Sequence, residues 1–284
     1  MTETARLSEL SRWIGRSESR EDAIVAAPLR QLSALLDRDD PEPKAGEPIP
    51  PLAHWLYFLD THRQSELGPD GHARRGEFLP PVPLPRRMWA GSRLEFLRPL
   101  ALGVDATRKS TIKDVSVKDG RSGTLVFVTV RHEISDARGL AIIDEHDIVY
   151  RGEGGATAAP VAAPRDEAWR REVRPDPVLL FRYSAVTFNG HRIHYDHPYV
   201  TGAEGYPGLV VHGPLIATLL LDLLRRNRPD TALRRYSFRA MRPLFDTAPF
   251  EVCGAPDDAK RSARLWTRDA EGAITMDAQA EWLA

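Results

Sequence analysis

The sequence predicts an α+β fold in which two curved antiparallel sheets each wrap around a central helix. Three observations carry this. Met88 to Tyr150 reads as a run of antiparallel strands separated by turn signals at Lys118-Asp119-Gly120 and Ala137-Arg138-Gly139. Pro214 to Arg226 reads as a helix with Leu215, Ile216, Leu219, Leu220 and Leu223 on one broad face, apolar enough to be largely buried. Four strand signals then close the chain: Tyr236 to Arg242, Phe250 to Ala255, Ala263 to Arg268 and Ile274 to Leu283. A set of strands in each half makes the chain a pseudo-dimer, with one unit over residues 1–150, a linker over 151–177 and a second unit over 178–284.

In the first half, Glu21 to Leu36 has helical spacing of Ile24, Leu29, Leu32, Leu35 and Leu36, with a capping signal at Ser19 and Asp22. Pro28 either kinks that helix or ends a short first one. Asp37 to Pro51 is a charged, Pro-containing loop, and Pro80 to Pro85 is extended. The strands follow. Leu94-Glu95-Phe96 and Ile112 to Val117 alternate, Thr124 to Ile134 is rich in β-branched residues, and Leu140 to Tyr150 completes the run. Arg151 to Pro177 contains a Gly-Gly-Ala-Thr-Ala-Ala-Pro stretch with little to bury. In the second half, Leu179 to Thr187 reads as a strand entering a histidine cluster, and Val200 to Gly208 as a loop. Pro214 in the first turn marks the start of the long helix.

Length and composition narrow the function. The 284 residues are 42% hydrophobic, enough for a sizeable core. The net charge is −1, from 39 basic and 40 acidic residues, which argues against a general nucleic-acid binder. The single cysteine, Cys253, excludes an internal disulfide framework and fits a reducing compartment; its apolar surroundings mark it as core. No apolar run reaches transmembrane length, and Met1 to Arg6 lacks the apolar segment of a secretory signal. A cytoplasmic location without membrane contact is expected.

The chemistry concentrates in His191-Arg192-Ile193-His194-Tyr195-Asp196-His197 and in His212-Gly213-Pro214. Imidazole suits proton transfer near neutral pH. A glycine opening a buried helix presents a backbone N–H to developing negative charge. A base beside an oxyanion site points to acid/base chemistry at a carbonyl compound. A metal site at His191, His194 and His197 with Asp196 is the rival reading, but the spacing is not a usual zinc pattern, and no metal is expected.

Two longer strings carry a family resemblance: Phe181-Arg182-Tyr183-Ser184-Ala185 through Thr187-Phe188-Asn189-Gly190-His191-Arg192-Ile193-His194-Tyr195-Asp196, and Glu204 through Val211-His212-Gly213-Pro214-Leu215. They resemble the MaoC-like, type 2 hydroxyacyl-thioester dehydratase family of double hot-dog hydratases, a subgroup that includes mesaconyl-C4-CoA and itaconyl-CoA hydratases. The resemblance covers Leu179 to Leu283 well and Pro51 to Tyr150 more loosely, where the subgroup has a degenerate first unit. It implies a hydratase acting on an acyl-CoA without an organic cofactor. It places the catalytic His on His194, the oxyanion glycine on Gly213, and the family's catalytic Asp on Asn189. His-Arg at 191–192 replaces the family's Asn-Pro.

On this reading His194 removes a proton from water and returns it to the α-carbon, a syn addition, while Asn189 orients the water. Asp196 and Tyr195 are substitutes of lower standing. Arg192 and Arg239 are candidates for a substrate carboxylate. Tyr206 and His212 flank the site, and Trp89 to Arg93 line a pantetheine channel, although Trp89 also suits a core. The arginines from Arg225 to Arg242 suit CoA phosphates or a solvated face. The expected substrate is a C5 dicarboxyl-CoA, mesaconyl-C4-CoA or itaconyl-CoA, hydrated to citramalyl-CoA. A thioesterase, a non-catalytic acyl-CoA-binding module and a 3-hydroxyacyl-thioester dehydratase of fatty acid synthesis are the alternatives. A homodimer paired through sheet edges is expected.

Overall fold

A computed structural model of the chain describes residues 9–120, 123–152 and 159–283. The expected first helix begins later than the spacing indicates. Residues Ser17–Ala23 form strand β1, whose side chains alternate between exposed and half-buried. Pairing with the edge of a longer strand overrides the local helical pattern there. The Asp22 carboxylate, taken for a cap, instead accepts hydrogen bonds from the Ala23 and Phe58 amides. Helix α1 spans Ala26–Leu35 and buries Leu29, Leu32 and Leu35. Pro28 neither kinks nor ends it, because it sits in the first turn, where no intrahelical N–H bond is lost.

The four strands of the first half are β2 (Arg86–Phe96), β3 (Asp105–Gly120), β4 (Gly123–Asp136) and β5 (Gly139–Arg151). Strand β6, Trp169–Val173, lies inside the segment expected as a linker. The Gly-Ala stretch at 153–158 lies outside the described residues. Strands β7 (Leu233–Ala240), β8 (Phe250–Asp257), β9 (Ser262–Arg268) and β10 (Ile274–Trp282) follow the alternation read from the sequence.

Leu179 to Thr187, expected as a strand, is helical. Helix α2 covers Pro177–Val186. The Asp176 side chain accepts a hydrogen bond from the Leu179 amide at 2.8 Å, and Pro177 takes the first helical position. The buried Leu180, Tyr183 and Ser184 follow the spacing of a helix face. Part of the expected loop is also helical: α3 spans His197–Gly202, capped by the Asp196 carboxylate on the Tyr199 amide. Helix α4, Gly213–Asn227, buries every residue from Leu215 to Leu224 and packs against β6, β8, β9 and β10.

The strands form one antiparallel sheet in the order β1-β3-β4-β5-β2-β7-β10-β9-β8-β6. The two expected sheets are therefore the two ends of a continuous one. They meet where Gly91 and Ser92 of β2 pair with Arg239 and Phe238 of β7. Glycine is required at that seam, since a Cβ at position 91 would lie 2.3 Å from the Phe238 carbonyl oxygen. The main apolar cluster runs from α1 through α2 and α4 to β8, β9 and β10, with smaller clusters around Tyr150 and around Trp266. Cys253 lies fully buried beside Trp266, as expected of a core residue. Among the described residues, no helix is long and apolar enough to cross a membrane.

Candidate active site

Two segments converge. The turn after α2 carries the histidine cluster, and the chain then crosses Val210 to reach the start of α4. His194 occupies a short 3-10 turn, Arg192–His194, and is 7% exposed. Its Nδ1–H donates to the Val210 carbonyl at 2.7 Å. That bond fixes the tautomer and leaves Nε2 as the atom able to take a proton. The His194 ring stacks on His212, with centroids 3.6 Å apart and planes 18° apart. His212 is fully buried, and its Nε2 shares a 2.8 Å hydrogen bond with Ser184 Oγ of α2. His212 is the residue immediately before α4, so the stack holds the His194 imidazole against the helix N-terminus. Burial lowers the His194 pKa from its ordinary 6.5 to about 4, against the opposing pull of the Val210 hydrogen bond. Burial also holds His212 well below the usual histidine range. Both rings are neutral at pH 7.

Gly213 opens α4, where the first-turn amides have no intrahelical acceptor. A Cβ built on Gly213 meets no atom within 4 Å. Its φ is not positive either. Neither packing nor backbone geometry demands glycine here, and the space beside the amide is open to a ligand.

A cavity of about 830 Å³ adjoins this region: Ser184, Asn189 and Pro214, the residue after Gly213, line it, whereas His194, His212 and Gly213 are not among its lining residues. The second half contributes Tyr183, Ser184, Asn189, Arg192 and Pro214 to its wall, and the first half contributes Trp55, His72, Trp89, Arg108 and His146. The halves touch main chain to main chain. The Arg192 amide donates to the Asp70 carbonyl at 2.9 Å, and a Cβ at Gly71, whose φ is +87°, would lie 1.9 Å from the Gly190 carbonyl oxygen.

The structure gathers some of the expected site residues and disperses others. His194, His212 and Gly213 lie together, and Asn189 lines the cavity. The Asn189 side-chain oxygen accepts from the His191 amide at 3.0 Å, a local turn bond. Trp89 lines the cavity while its Nε1–H donates to the Gly91 carbonyl at 2.8 Å. Arg192 lines the cavity too, but its guanidinium is committed. It pairs with Asp196 at 2.7 Å, donates to the Pro69 carbonyl and lies over the Tyr199 ring. Tyr206 packs on Phe245 and Arg86 and does not line the cavity. Arg239 points to solvent from β7, beyond the cavity wall. Arg225, Arg226 and Arg228 pair with Asp40, Asp222 and Asp258.

The set His191, His194, His197 and Asp196 does not form a metal-binding cluster. His197 is exposed at the start of α3. Asp70, His72 and His191 instead bring three possible ligand atoms within 4.8 Å of one another. The Asp70 carboxylate is already engaged with the His72 ring at 3.2 Å. Burial and Arg87 lower the His72 pKa against the opposing pull of Asp70.

Several cavity residues were not singled out from the sequence. Ser184 anchors His212. His146 donates from Nε2 to the buried Asp144 carboxylate at 2.8 Å, which also accepts from Trp55 Nε1 at 2.8 Å. Arg108 sits on β3 within a polar run that reads as solvated strand.

Comparison with known proteins agrees with this architecture. The family model of hydroxyacyl-thioester dehydratase type 2 matches residues 52–246. The mesaconyl-C(4)-CoA hydratase of Chloroflexus aurantiacus is 47% identical over 95% of this chain and 96% of its own. The mitochondrial hydroxyacyl-thioester dehydratase type 2 of Schizosaccharomyces pombe is 28% identical over 82% of this chain and 88% of its own. Among solved structures, a MaoC-like dehydratase from Phytophthora capsici superposes with a TM-score of 0.67 at 17% identity, covering 98% of each chain. A Mycobacterium tuberculosis protein with a double hot-dog fold superposes at 0.60 and 12% identity, again covering 98% of each chain.

Proposed function

Because the chain belongs to the hydroxyacyl-thioester dehydratase type 2 family, and is thus a double hot-dog hydro-lyase acting on a CoA thioester, we propose that it hydrates mesaconyl-C4-CoA or the isomeric itaconyl-CoA to citramalyl-CoA. One observation carries the reading: an imidazole with a fixed tautomer is stacked on the residue just before a buried helix, next to a glycine amide with open space beside it.

His194 Nε2 takes a proton from water, and the hydroxide oxygen bonds to the β-carbon as the double bond breaks. The electron pair moves to the thioester oxygen, which the Gly213 N–H holds at the positive end of α4. The enolate then collapses and takes the proton from the His194 imidazolium at the α-carbon. A buried imidazolium of lowered pKa is a strong acid, which speeds this return. One base on one face gives syn addition. Asn189 cannot exchange a proton at neutral pH, so its part is to position water. For itaconyl-CoA, the same imidazole first shifts a proton to bring the double bond into conjugation.

The test is loss of enoyl-thioester absorbance with mesaconyl-C4-CoA in the wild type and in His194→Ala. The variant is expected to lose about 10³-fold in kcat while keeping its melting temperature. A variant that retains turnover ends the assignment. Release of free thiol would point instead to a thioesterase, and tight binding without turnover to a carrier of acyl-CoA.

A further inference from the structure

Among the described residues, the cavity wall holds one arginine with no ion pair. Arg108 projects from β3 into the wall it shares with Trp55, Trp89 and His146. Its Nε is buried without a hydrogen-bond acceptor, and its guanidinium lies over the Phe58 ring at 5.6 Å. The acids nearest in the fold are spent elsewhere. Asp60 pairs with Arg20 at 2.8 Å, Glu18 is on the same arginine, and Asp144 is held by Trp55, His54 and His146. Burial and the like charge of Arg20 lower the Arg108 pKa against the weaker pull of Glu18, Asp60 and Asp144, so the guanidinium stands in the wall at a cost the protein offsets only in part. Arg192, the other arginine of the cavity wall, is tied to Asp196.

We propose that Arg108 is a specificity-determining residue that binds the free carboxylate of a dicarboxylic monothioester substrate. This rests on the hydratase reading above and names the group in the wall that selects among enoyl-thioesters. A planar guanidinium in an aromatic wall receives a carboxylate through two parallel N–H donors, and the anion relieves the buried charge. The apolar alternative, a substrate ending in a methyl group, would leave the guanidinium desolvated and unpaired. A CoA phosphate offers the same anionic chemistry, but it belongs to every CoA ester and confers no choice among acyl groups.

The experiment compares kcat/KM for mesaconyl-C4-CoA with kcat/KM for crotonyl-CoA, which lacks the second carboxylate, in the wild type, Arg108→Gln and Arg108→Lys. Taking the ratio on one preparation cancels any loss of folded protein. Arg108→Gln is expected to lower the ratio about 100-fold, and Arg108→Lys, which keeps the charge but loses the planar fork, about tenfold. Equal losses on both substrates, as a phosphate contact would give, overturn the proposal, as does an unchanged ratio. A wild-type enzyme that hydrates neither substrate defeats the hydratase reading itself; one that hydrates both with no shift in the variants defeats only the role of Arg108.

Discussion

The buried state of His194 makes a quantitative claim about acid. Its pKa of about 4, against the ordinary 6.5, comes first from burial. The base form is the neutral ring, so activity is present above this pKa and falls as pH drops through it. At pH 5.5 an ordinary histidine would be about one-tenth neutral, whereas a ring with a pKa of about 4 stays about 97% neutral. The acid limb of kcat/KM, which reports the free enzyme, is therefore expected near pH 4 and flat from about pH 5.5 to 7.5.

Stability must be followed in parallel. A ring held neutral in the fold takes up a proton when the chain unfolds. Its contribution is intact above about pH 6.5 and declines as pH falls toward 4. For His194 alone the decline is ~2 kcal/mol by pH 5. Circular dichroism at each pH separates this loss from titration of the base. The assay is initial-rate loss of enoyl absorbance at substrate well below KM. An acid limb between pH 6 and 7 in protein that is still folded would refute the assignment of His194 as a buried base.

Two further outcomes follow from glycines. Gly213→Ala adds a methyl group to empty space, so the melting temperature should stay within a few degrees, while kcat/KM should drop about tenfold or more as the methyl group crowds the oxyanion position. Equal activity in a thermal-shift-matched variant would argue that no ligand approaches that amide. Gly71→Ala places a Cβ 1.9 Å from a carbonyl and forces a left-handed φ, so urea unfolding should show a loss of at least ~2 kcal/mol.

Legibility of the fold followed side-chain contrast. Strands β8, β9 and β10 alternate or run apolar between clear turns, and the sequence placed them within a few residues. Helix α4 carried a broad apolar face and a proline in its first turn. Helix α2 was misread because Val178 and Phe181 remain exposed on its outer side, 64% and 61%, which erases the polar face that marks a helix. Strand β1 was hidden because its pairing partner lies about ninety residues away. At the site, the approach of His194 to the start of α4 was legible because short motifs carry both segments. Arg108 and His146 were not. Both stand in charged stretches, Thr-Arg-Lys-Ser and Asp-Glu-His-Asp, and only the approach of the two halves turns one side of those stretches into a wall.

The ladder of main-chain bonds from β2 to β7 has a mechanical meaning. Lobes joined by a flexible strap can act as jaws, swinging shut on what they catch. Here the strap is replaced by woven sheet, and a hinge between the lobes would have to break the pairing of Gly91 to Glu95 with Arg239 to Arg235.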